Sequence, residues 1–291
     1  MKKSFFYNTR RKLQVAACSI LPMSFISKIF FRIVVKKTLN LKNPQSFNEK
    51  LQWLKLYYWP KNTLAIECAD KYNVRNYVER KGYSHILNEL YGVYDSVDEI
   101  NWNSFPDRFV LKCVHGCGYN IICKDKENFD IENANKQLKK WMKEDFGKFN
   151  AEPHYSSIKP KIICEKYLGN IVNYNIFCCN GKPEFFSVIE GLGEGKDEAL
   201  TYYYADKTRA EFYNQAYPQS NKELPEIIDT MLDYAKEFAA DFPFVRVDFY
   251  EVEGQIILSE LTFTPGGALI NFYPEKYDGV FGEKLNIEHL K

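Results

Sequence analysis

Two apolar runs near the end of the chain, joined by only four residues, constrain the fold more than any other feature. The runs 244–250 and 255–263 alternate polar and apolar residues over part of their length, as half-buried β-strands do. Because the link Glu251–Gly254 is so short, the two strands must pair as an antiparallel hairpin. The sequence therefore predicts an antiparallel sheet in this part of the molecule.

The polar residues of this hairpin form a set that can hold a metal ion. Alternation places Arg246 and Asp248 on one face of the first strand, and Glu260 and Thr262 on one face of the second. Hard cations take oxygen ligands, and Mg²⁺ that bridges nucleotide phosphates usually borrows one or two protein carboxylates. A structural salt bridge explains Arg246 and Asp248 but not a carboxylate at Glu260 in an apolar strand. We therefore predict metal ligands at Asp248, Glu260 and Thr262.

A lysine inside another apolar strand suggests an anion-binding element. The run Phe109–Val114 reads as a strand in which Lys112 interrupts apolar residues, and a buried ammonium needs an anionic partner. The turn that follows contains Gly116 and Gly118, whose backbone N–H groups can approach phosphate oxygens. An ordinary hairpin with Lys112 on its solvent face explains the same residues equally well.

The exit from a third strand, 161–168, can bind a purine. The strand ends in Glu165, Lys166 and Tyr167. Its backbone groups can bond to the edge of the base, and the Glu165 carboxylate can accept from an exocyclic amine. A solvated strand end is the alternative explanation.

Strand and helix patterns mix along the chain without strict βαβ alternation, which favours an α+β fold. Ser46 and Glu49 have the spacing of a capping box at the start of a helix. Further helical patterns cover about 63–80, 130–145 and 224–240, and further strands are predicted at 120–123, 171–179 and 184–189.

Composition and charge exclude several classes of protein. The 291 residues are 45% hydrophobic and 26% charged, so disordered chains, collagen-like repeats and coiled-coil rods are excluded. A net charge of +1 argues against a nucleic-acid-binding protein. The charge is unevenly distributed along the chain, however, because no acidic residue precedes Glu49. The ten basic residues before it are Lys2, Lys3, Arg10, Arg11, Lys12, Lys28, Arg32, Lys36, Lys37 and Lys42.

The basic N-terminal segment predicts contact with either an anionic membrane surface or the body of the protein. Its longest uncharged run, 13–27, contains Pro22 and is shorter than the roughly 20 apolar residues of a membrane-spanning helix. Basic residues at 10–12 occupy the place of the apolar region of an export signal. We therefore expect a cytoplasmic protein that can associate peripherally with the inner face of the cell membrane.

The eight cysteines fit a reducing compartment better than a disulfide framework. Most of them lie in apolar runs, where a free thiol behaves as a small apolar side chain. Cys113, His115, Cys117 and Cys123 lack the paired C-x-x-C spacing of zinc sites, and strand alternation scatters them. We expect no zinc site there.

Taken in order, these segments resemble the ATP-grasp superfamily, and within it the TupA-like family, which is named for a teichuronopeptide-synthesis protein. The similarity runs from about residue 40 to residue 280. The strings that carry it are Asn43–Trp53, Asp70-Lys71-Tyr72, Phe109–Gly116, Asn180-Gly181-Lys182-Pro183 and Glu260–Gly266. The resemblance implies an ATP-grasp fold in which two α+β subdomains clasp ATP. We expect a helical basic segment at 1–45, a catalytic domain at 46–291 and a lid subdomain at about 105–165.

The resemblance also implies an activity and a site. It implies an ATP- and Mg²⁺-dependent ligase that joins a carboxylate to an amine through an acyl phosphate. The substrates implied are a small amine or amino acid and a carboxylate-bearing saccharide of the cell surface. Arg246 and Lys112 are the expected catalytic residues. The expected nucleotide-binding residues are Lys71, Lys112, His115, Gly116, Gly118, Glu165, Lys166, Tyr167 and Asn173.

Two departures from the family pattern keep other functions open. Thr262 stands where many ATP-grasp ligases carry a metal-binding Asn, so a second Mg²⁺ is less expected. Asn173 and Asn175 stand where we expect Asp and Lys, which removes a carboxylate and an ammonium near the nucleotide. The alternatives are a sugar kinase, a non-catalytic protein of the same fold, and a glycosyltransferase, although the chain has no Asp-x-Asp motif.

Overall fold

The computed structural model describes residue 11 and residues 14–191, 198–221 and 223–291. The basic residues Lys2, Lys3, Arg10 and Lys12 therefore lie outside the described residues. Within the described part of the chain, no helix combines the length and the apolar character that a membrane span requires. The elements mix helices with antiparallel sheets, so the predicted α+β class is confirmed.

Strands and helices follow one another irregularly along the chain. The strands are β1 Leu90–Tyr94, β2 Phe109–Cys113, β3 Asn120–Cys123, β4 Ile162–Lys166, β5 Val172–Cys179, β6 Lys182–Glu190, β7 Ala199–Tyr204, β8 Phe244–Val252 and β9 Gln255–Thr262. Residues 14–20 are helical, and the α-helices with both ends among the described residues are α1 Met23–Val34, α2 Phe47–Trp53, α3 Thr63–Ala69, α4 Val74–Arg80, α5 Ile131–Trp141, α6 Ile228–Ala239 and α7 Lys276–Lys284.

The strands form two antiparallel sheets, which we call the lid sheet and the large sheet. The lid sheet has the order β1-β4-β2-β3, and the large sheet has the order β7-β6-β5-β8-β9. The predicted hairpin is present in the large sheet, where Arg246 pairs with Thr262 and Asp248 pairs with Glu260. A one-residue bulge lies at Ser259, next to Glu260, and bulges of this kind commonly re-aim side chains beside active sites.

An aromatic core covers one end of the inner face of the large sheet. Phe47, at the start of α2, packs edge-on against Phe185 of β6, Phe244 of β8 and Phe281 of α7. The outer face is covered by α6, in which Met231, Ala235 and Phe238 are among the buried side chains. The far end of the inner face, toward the lid sheet, carries the polar residues of β5, β8 and β9 instead.

The chain departs from the predicted elements at a few positions. The helix predicted over 63–80 is divided into α3 and α4, because the Asp70 carboxylate accepts the N–H groups of Tyr72 and Asn73 and forms a turn. The strands β1 and β7 and the helix α7 were not predicted. The predicted lid range, 105–165, covers three of the four strands of the lid sheet.

The helix α1 packs on the body of the protein. Packing on the body was one of the two predictions made for the basic segment. The α1 side chains Ile26 and Phe31 are buried, and Ile26 clusters with Cys18 and Ala151. The predicted capping box is confirmed, since Ser46 Oγ accepts the N–H of Glu49, and Glu49 accepts the N–H of Ser46. All eight cysteines are free thiols, and every one but Cys117 is buried.

Candidate functional site

A polar row crosses three strands of the large sheet and faces the lid sheet. Directly paired residues of antiparallel strands point to the same face. Asn175 of β5 pairs with Asp248 of β8, which in turn pairs with Glu260 of β9. Arg246 and Thr262 lie two residues along the same strands, so they share that face. The sequence predicted this arrangement for the hairpin, and the family resemblance placed Asn173 and Asn175 near the nucleotide, but no local pattern predicted the pairing of β5 with β8.

The side chains of this row form one connected network of charges. The Arg246 guanidinium donates to both oxygens of Asp248, with Nε at 2.7 Å from Oδ1, and its Nη2 lies 3.6 Å from Glu260 Oε1. The Thr262 hydroxyl lies 2.8 Å from Glu260 Oε1 and 3.2 Å from Asp248 Oδ2. Lys71 Nζ completes the network, at 3.1 Å from Glu260 Oε2. These five predicted site residues therefore lie together.

The charges of this network shift the pKa values of its members. Burial alone raises the pKa of Glu260, but the positive charges of Lys71 and Arg246 outweigh it and lower the pKa to about 2. Burial likewise lowers the pKa of Lys71, and the Glu260 carboxylate more than reverses this effect. Both side chains are therefore held in their charged forms at neutral pH.

Lys71 also connects the network to the lid sheet. It lies in the Asp70 turn between α3 and α4, and its backbone N–H donates to the carbonyl of Val114 at 3.3 Å. Val114 directly follows β2, so the backbone of Lys71 holds the lid strand while its side chain holds Glu260. Lys71 therefore connects the two sheets.

A second network lies on the lid side of the site. Lys112 Nζ lies 2.6 Å from Glu165 Oε2, and Arg75 Nη1 lies 3.8 Å from Glu165 Oε1. The side chains of Lys112 and Glu165 are 17% and 8% exposed, so the alternative of a lysine on a solvent face is wrong. Burial lowers the pKa of Lys112, and the charge of Lys71 lowers it further, but the Glu165 carboxylate contributes most to a net rise. The two networks are therefore neighbours.

The glycine turn after β2 directly follows Val114, the residue bound by the backbone of Lys71. Gly118 has a φ of +74°, which glycine adopts at low cost. A Cβ at Gly116 would lie 2.6 Å from the ring of Phe146, so this position is closely packed. Cys117, between them, is exposed, and the charges of Glu260 and Lys71 act on its thiol in opposite directions, Glu260 raising its pKa and Lys71 lowering it. The tip of the turn therefore lies near the charged centre.

Two of the residues predicted to bind the purine, Lys166 and Tyr167, line a cavity beside the strand exit. A cavity of about 480 Å³ is bounded by Lys166 and Tyr167, by Asn88, and by Gln255 at the start of β9. The Glu165 side chain is not part of its lining, because its carboxylate is bound to Lys112. Asn173 lies on the polar face of β5, and its side-chain oxygen is buried without a hydrogen-bond partner.

The structure does not bring the ring of His115 into the network. The ring is 2% exposed and packs against Tyr119 with centroids 5.5 Å apart, and its Nε2 lies 3.1 Å from the carbonyl oxygen of Trp141. Burial lowers its pKa, so the imidazole is held neutral. These contacts are those of a core histidine of the lid, and they leave the nucleotide-binding role of His115 a prediction.

The hairpin carboxylates fit a nucleotide-bridging cation better than a cation held by protein alone. Among the residues that the structure describes, no group of three or more His, Cys, Asp or Glu side chains is arranged to hold a metal ion. Asp248 and Glu260, however, converge on the Thr262 hydroxyl, which contacts both. Two carboxylates and a hydroxyl suit Mg²⁺ that takes its remaining ligands from phosphates and water.

Sequence reasoning missed a buried polar cluster beyond the end of β9. Lys55 is fully buried, and its Nζ donates to the carbonyls of Asn150 and Gly267 at 3.2 and 3.0 Å. The Glu152 carboxylate accepts from the Thr264 hydroxyl. One signal was present, because Lys55 follows Leu51 by four residues and so shares the apolar face of its helix.

Comparison with known proteins identifies a family that this chain matches. The sequence profile of the TupA-like ATP-grasp family matches residues 49–286. No curated protein matches the chain. Among solved structures, the L-amino acid ligase from Bacillus licheniformis is similar with a TM-score of 0.52 and 13% identity, over 91% of this chain and 61% of the ligase.

Two D-alanine–D-alanine ligases are similar at a lower level. The enzyme from Helicobacter pylori has a TM-score of 0.42 and 14% identity, over 84% of this chain and 70% of that one. The enzyme from Bacillus anthracis, complexed with ATP, has a TM-score of 0.48 and 14% identity, over 76% of this chain and 64% of that one. The family profile and the L-amino acid ligase establish the ATP-grasp fold, and the chain belongs to the TupA-like ATP-grasp family.

Proposed function

We propose that this protein is an ATP-dependent ligase that joins a carboxylate to an amine through an acyl phosphate. The observation that carries the proposal is the pair of adjoining charge networks, one on each sheet, at Lys71–Glu260–Arg246–Asp248 and at Lys112–Glu165. Phosphoryl transfer depends mainly on positioning and on stabilising charge, and such a set of partly buried cations supplies both. The domain boundaries at 1–45 and 46–291, with a lid at about 105–165, belong to the same proposal.

The reaction has two steps. An oxygen of the substrate carboxylate attacks the γ-phosphorus of ATP, the bond between that phosphorus and the β–γ bridging oxygen breaks, and ADP leaves. The amine then attacks the carbonyl carbon of the acyl phosphate, loses a proton, and displaces inorganic phosphate to leave an amide. Exclusion of water protects the acyl phosphate from hydrolysis, which is the role we give to the glycine turn at Gly116 and Gly118.

The cations of the site have separate roles in this scheme. Lys71 and Lys112 neutralise the phosphates of the nucleotide, and Arg246 stabilises the charge that develops on the transferred phosphoryl group and on the tetrahedral adduct. Asp248, Glu260 and Thr262 would hold Mg²⁺, which, when bound, neutralises phosphate charge and orients the γ-phosphate. The cavity at Lys166 and Tyr167 supports purine binding at the strand exit, with Asn173 toward the ribose.

We assign the carboxylate to a saccharide of the cell surface or its precursor, and the amine to an amino acid. A cavity of about 290 Å³ supports this choice, because it is lined mainly by polar side chains that can bond to hydroxyl and carboxylate groups. These include Lys36, Asn214, Asn271 and Asp278. Part of its lining comes from the segment that follows Thr262 and the Gly267 turn along the chain.

Lys112→Ala and Asp248→Asn test the site. Each is expected to abolish nucleotide-dependent turnover while the thermal unfolding midpoint shows a folded protein, because each removes a charge from the nucleotide networks. Lys139→Ala, on the exposed face of α5, is the matched control and should keep full activity. The assay is ADP release in a screen of carboxylate and amine pairs, with the product identified by mass spectrometry. Wild-type ATP consumption in both variants would reject the site.

The product distinguishes the proposed ligase from its rivals. An amide formed only when both substrates are present supports the ligase. A stable phosphorylated saccharide formed without an amine identifies a kinase that uses the same site. Nucleotide binding without turnover of any pair favours a non-catalytic protein, for which the amides at Asn173 and Asn175 are the supporting observation.

A further inference from the structure

Exposed apolar side chains are concentrated on one short segment of this protein. Eleven large apolar residues are exposed in the described part of the chain, and five of them lie between residues 20 and 33. These five are Ile20, Leu21, Phe25, Ile29 and Ile33. The other six are scattered over the rest of the molecule, where single exposed apolar residues are normal.

The geometry of α1 places three of these side chains in one row. Phe25, Ile29 and Ile33 are spaced by four residues, so they lie above one another on one face of the helix. They are 50%, 40% and 67% exposed. The opposite face, which holds Ser27 and Phe31, is buried, and Ile26 is buried at the edge between the two faces. The exposed row therefore has no partner among the residues that the structure describes, although its helix is already packed.

Basic residues border this apolar row. Lys28 and Arg32 are exposed and follow Phe25 and Ile29 by three residues, so they lie beside them on the same side of the helix. Lys36 and Lys37 follow at its C-terminal end. No acidic residue occurs before Glu49, so nothing on the segment itself neutralises these charges.

The segment is fixed to the body, so the exposed face has a defined orientation. The Arg11 guanidinium lies 3.8 Å from the ring centroid of Phe149 and donates to the hydroxyl of Tyr119 at 2.9 Å. At the other end, Lys37 Nζ lies 3.4 Å from Glu275. Between these two contacts, the row of Phe25, Ile29 and Ile33 is exposed.

We infer that this face of α1 docks on the surface of a membrane that contains anionic lipids. The apolar row enters the boundary between head groups and acyl chains, and Lys28 and Arg32 contact the lipid phosphates. The combination of exposed apolar and basic side chains, with no acidic ones, selects an anionic bilayer over a neutral bilayer or a purely apolar protein partner. The inference does not depend on the proposed ligase activity.

Flotation of the full-length protein with vesicles tests this inference. We expect the wild-type protein to float with vesicles of phosphatidylglycerol and phosphatidylcholine in equal amounts, and not with phosphatidylcholine alone. The double variant Phe25→Ser/Ile29→Ser should need at least about tenfold more lipid for half-maximal binding, because it removes the inserted apolar area. Lys28→Gln/Arg32→Gln should weaken binding by about tenfold, through the loss of two lipid contacts.

The matched control is Ile122→Ser/Val280→Ser, which removes two apolar side chains that are 46% and 41% exposed elsewhere on the molecule. It should float like the wild type. Thermal unfolding checks that each variant is folded, and Ile33→Ser alone replaces the double variant if that one does not fold.

Several results would overturn the inference. These are failure of the wild type to float with the anionic vesicles at low salt, equal flotation on phosphatidylcholine, and unchanged flotation of both Phe25→Ser/Ile29→Ser and Ile33→Ser. A wild-type dimer that becomes a monomer in those variants, without any flotation, would show instead that a second copy of the chain covers this face.

Discussion

The buried ammonium of Lys55 makes the stability of this protein depend on pH in a way that one substitution can isolate. The side chain is fully buried, and its two hydrogen bonds go to the backbone carbonyls of Asn150 and Gly267. Burial lowers its pKa from 10.5 to about 8, although the charge of Glu152 opposes this effect. Lys55→Met keeps most of the apolar length of the side chain and removes the charge.

The sign and size of the effect follow from these two values. Between the folded pKa of about 8 and the unfolded value of 10.5, the unfolded chain binds the proton and the folded protein does not. The free energy of unfolding therefore rises with pH across this window. The full difference corresponds to about 3 kcal/mol, of which about 2 kcal/mol falls between roughly pH 7.5 and pH 10.

Urea unfolding of the wild type and of Lys55→Met, at several values of pH in this window, measures the effect. The difference between the two proteins removes the contributions of tyrosines and cysteines, which titrate in both. We expect the wild type to gain about 2 kcal/mol relative to the variant as the pH rises. Lys61→Met, at an exposed position nearby, should give a flat difference. Parallel curves for the wild type and Lys55→Met would refute the burial of a charged Lys55.

Two further substitutions test the local structure around the site. Ser46→Ala removes the hydroxyl that accepts the N–H of Glu49, and should lower the free energy of unfolding by about 1 kcal/mol in urea; an unchanged midpoint would show that the capping box is not formed. Gly116→Ala places a Cβ 2.6 Å from the Phe146 ring, and should cost about 1–3 kcal/mol, whereas Gly279→Ala, with nothing within 4 Å, should not destabilise the protein. Equal effects of the two alanines would contradict the close packing of the glycine turn.

Within the large sheet, the prediction was most accurate for β8 and β9, because the short link between them permits only one way of pairing. The hairpin of β8 and β9 has the predicted faces, because four residues between two strands permit only an antiparallel pair. Strand β1 was missed because its five residues, Leu90–Tyr94, are all half-buried and show no alternation of apolar and polar residues. Strand β7 was missed since its run of three tyrosines gives no clear period.

The candidate site shows a different limit of sequence reasoning. Alternation could place Arg246, Asp248, Glu260 and Thr262 on shared faces, but it could not say which carboxylate each cation takes. Lys71 binds Glu260, almost two hundred residues away, because the Asp70 turn between two short helices aims it at the large sheet. Glu165 was predicted to accept from a purine amine, and its contact with Lys112 depends on the register between β2 and β4, which no local pattern specifies.

The pairing of charges explains how this site persists as a buried assembly before any nucleotide binds. Four cations, Lys71, Arg75, Lys112 and Arg246, lie beside only three carboxylates, Asp248, Glu260 and Glu165. An unpaired charge in such an environment costs several kcal/mol. Each of the four cations is therefore paired with a carboxylate when no ligand is bound. In the proposed function, the phosphates of a magnesium nucleotide would take over Lys71 and Lys112, which would free Glu260 for the metal and Glu165 for the purine amine. Under the proposed function, such an exchange of partners would let the preassembled site receive a polyanion without leaving a buried charge unpaired.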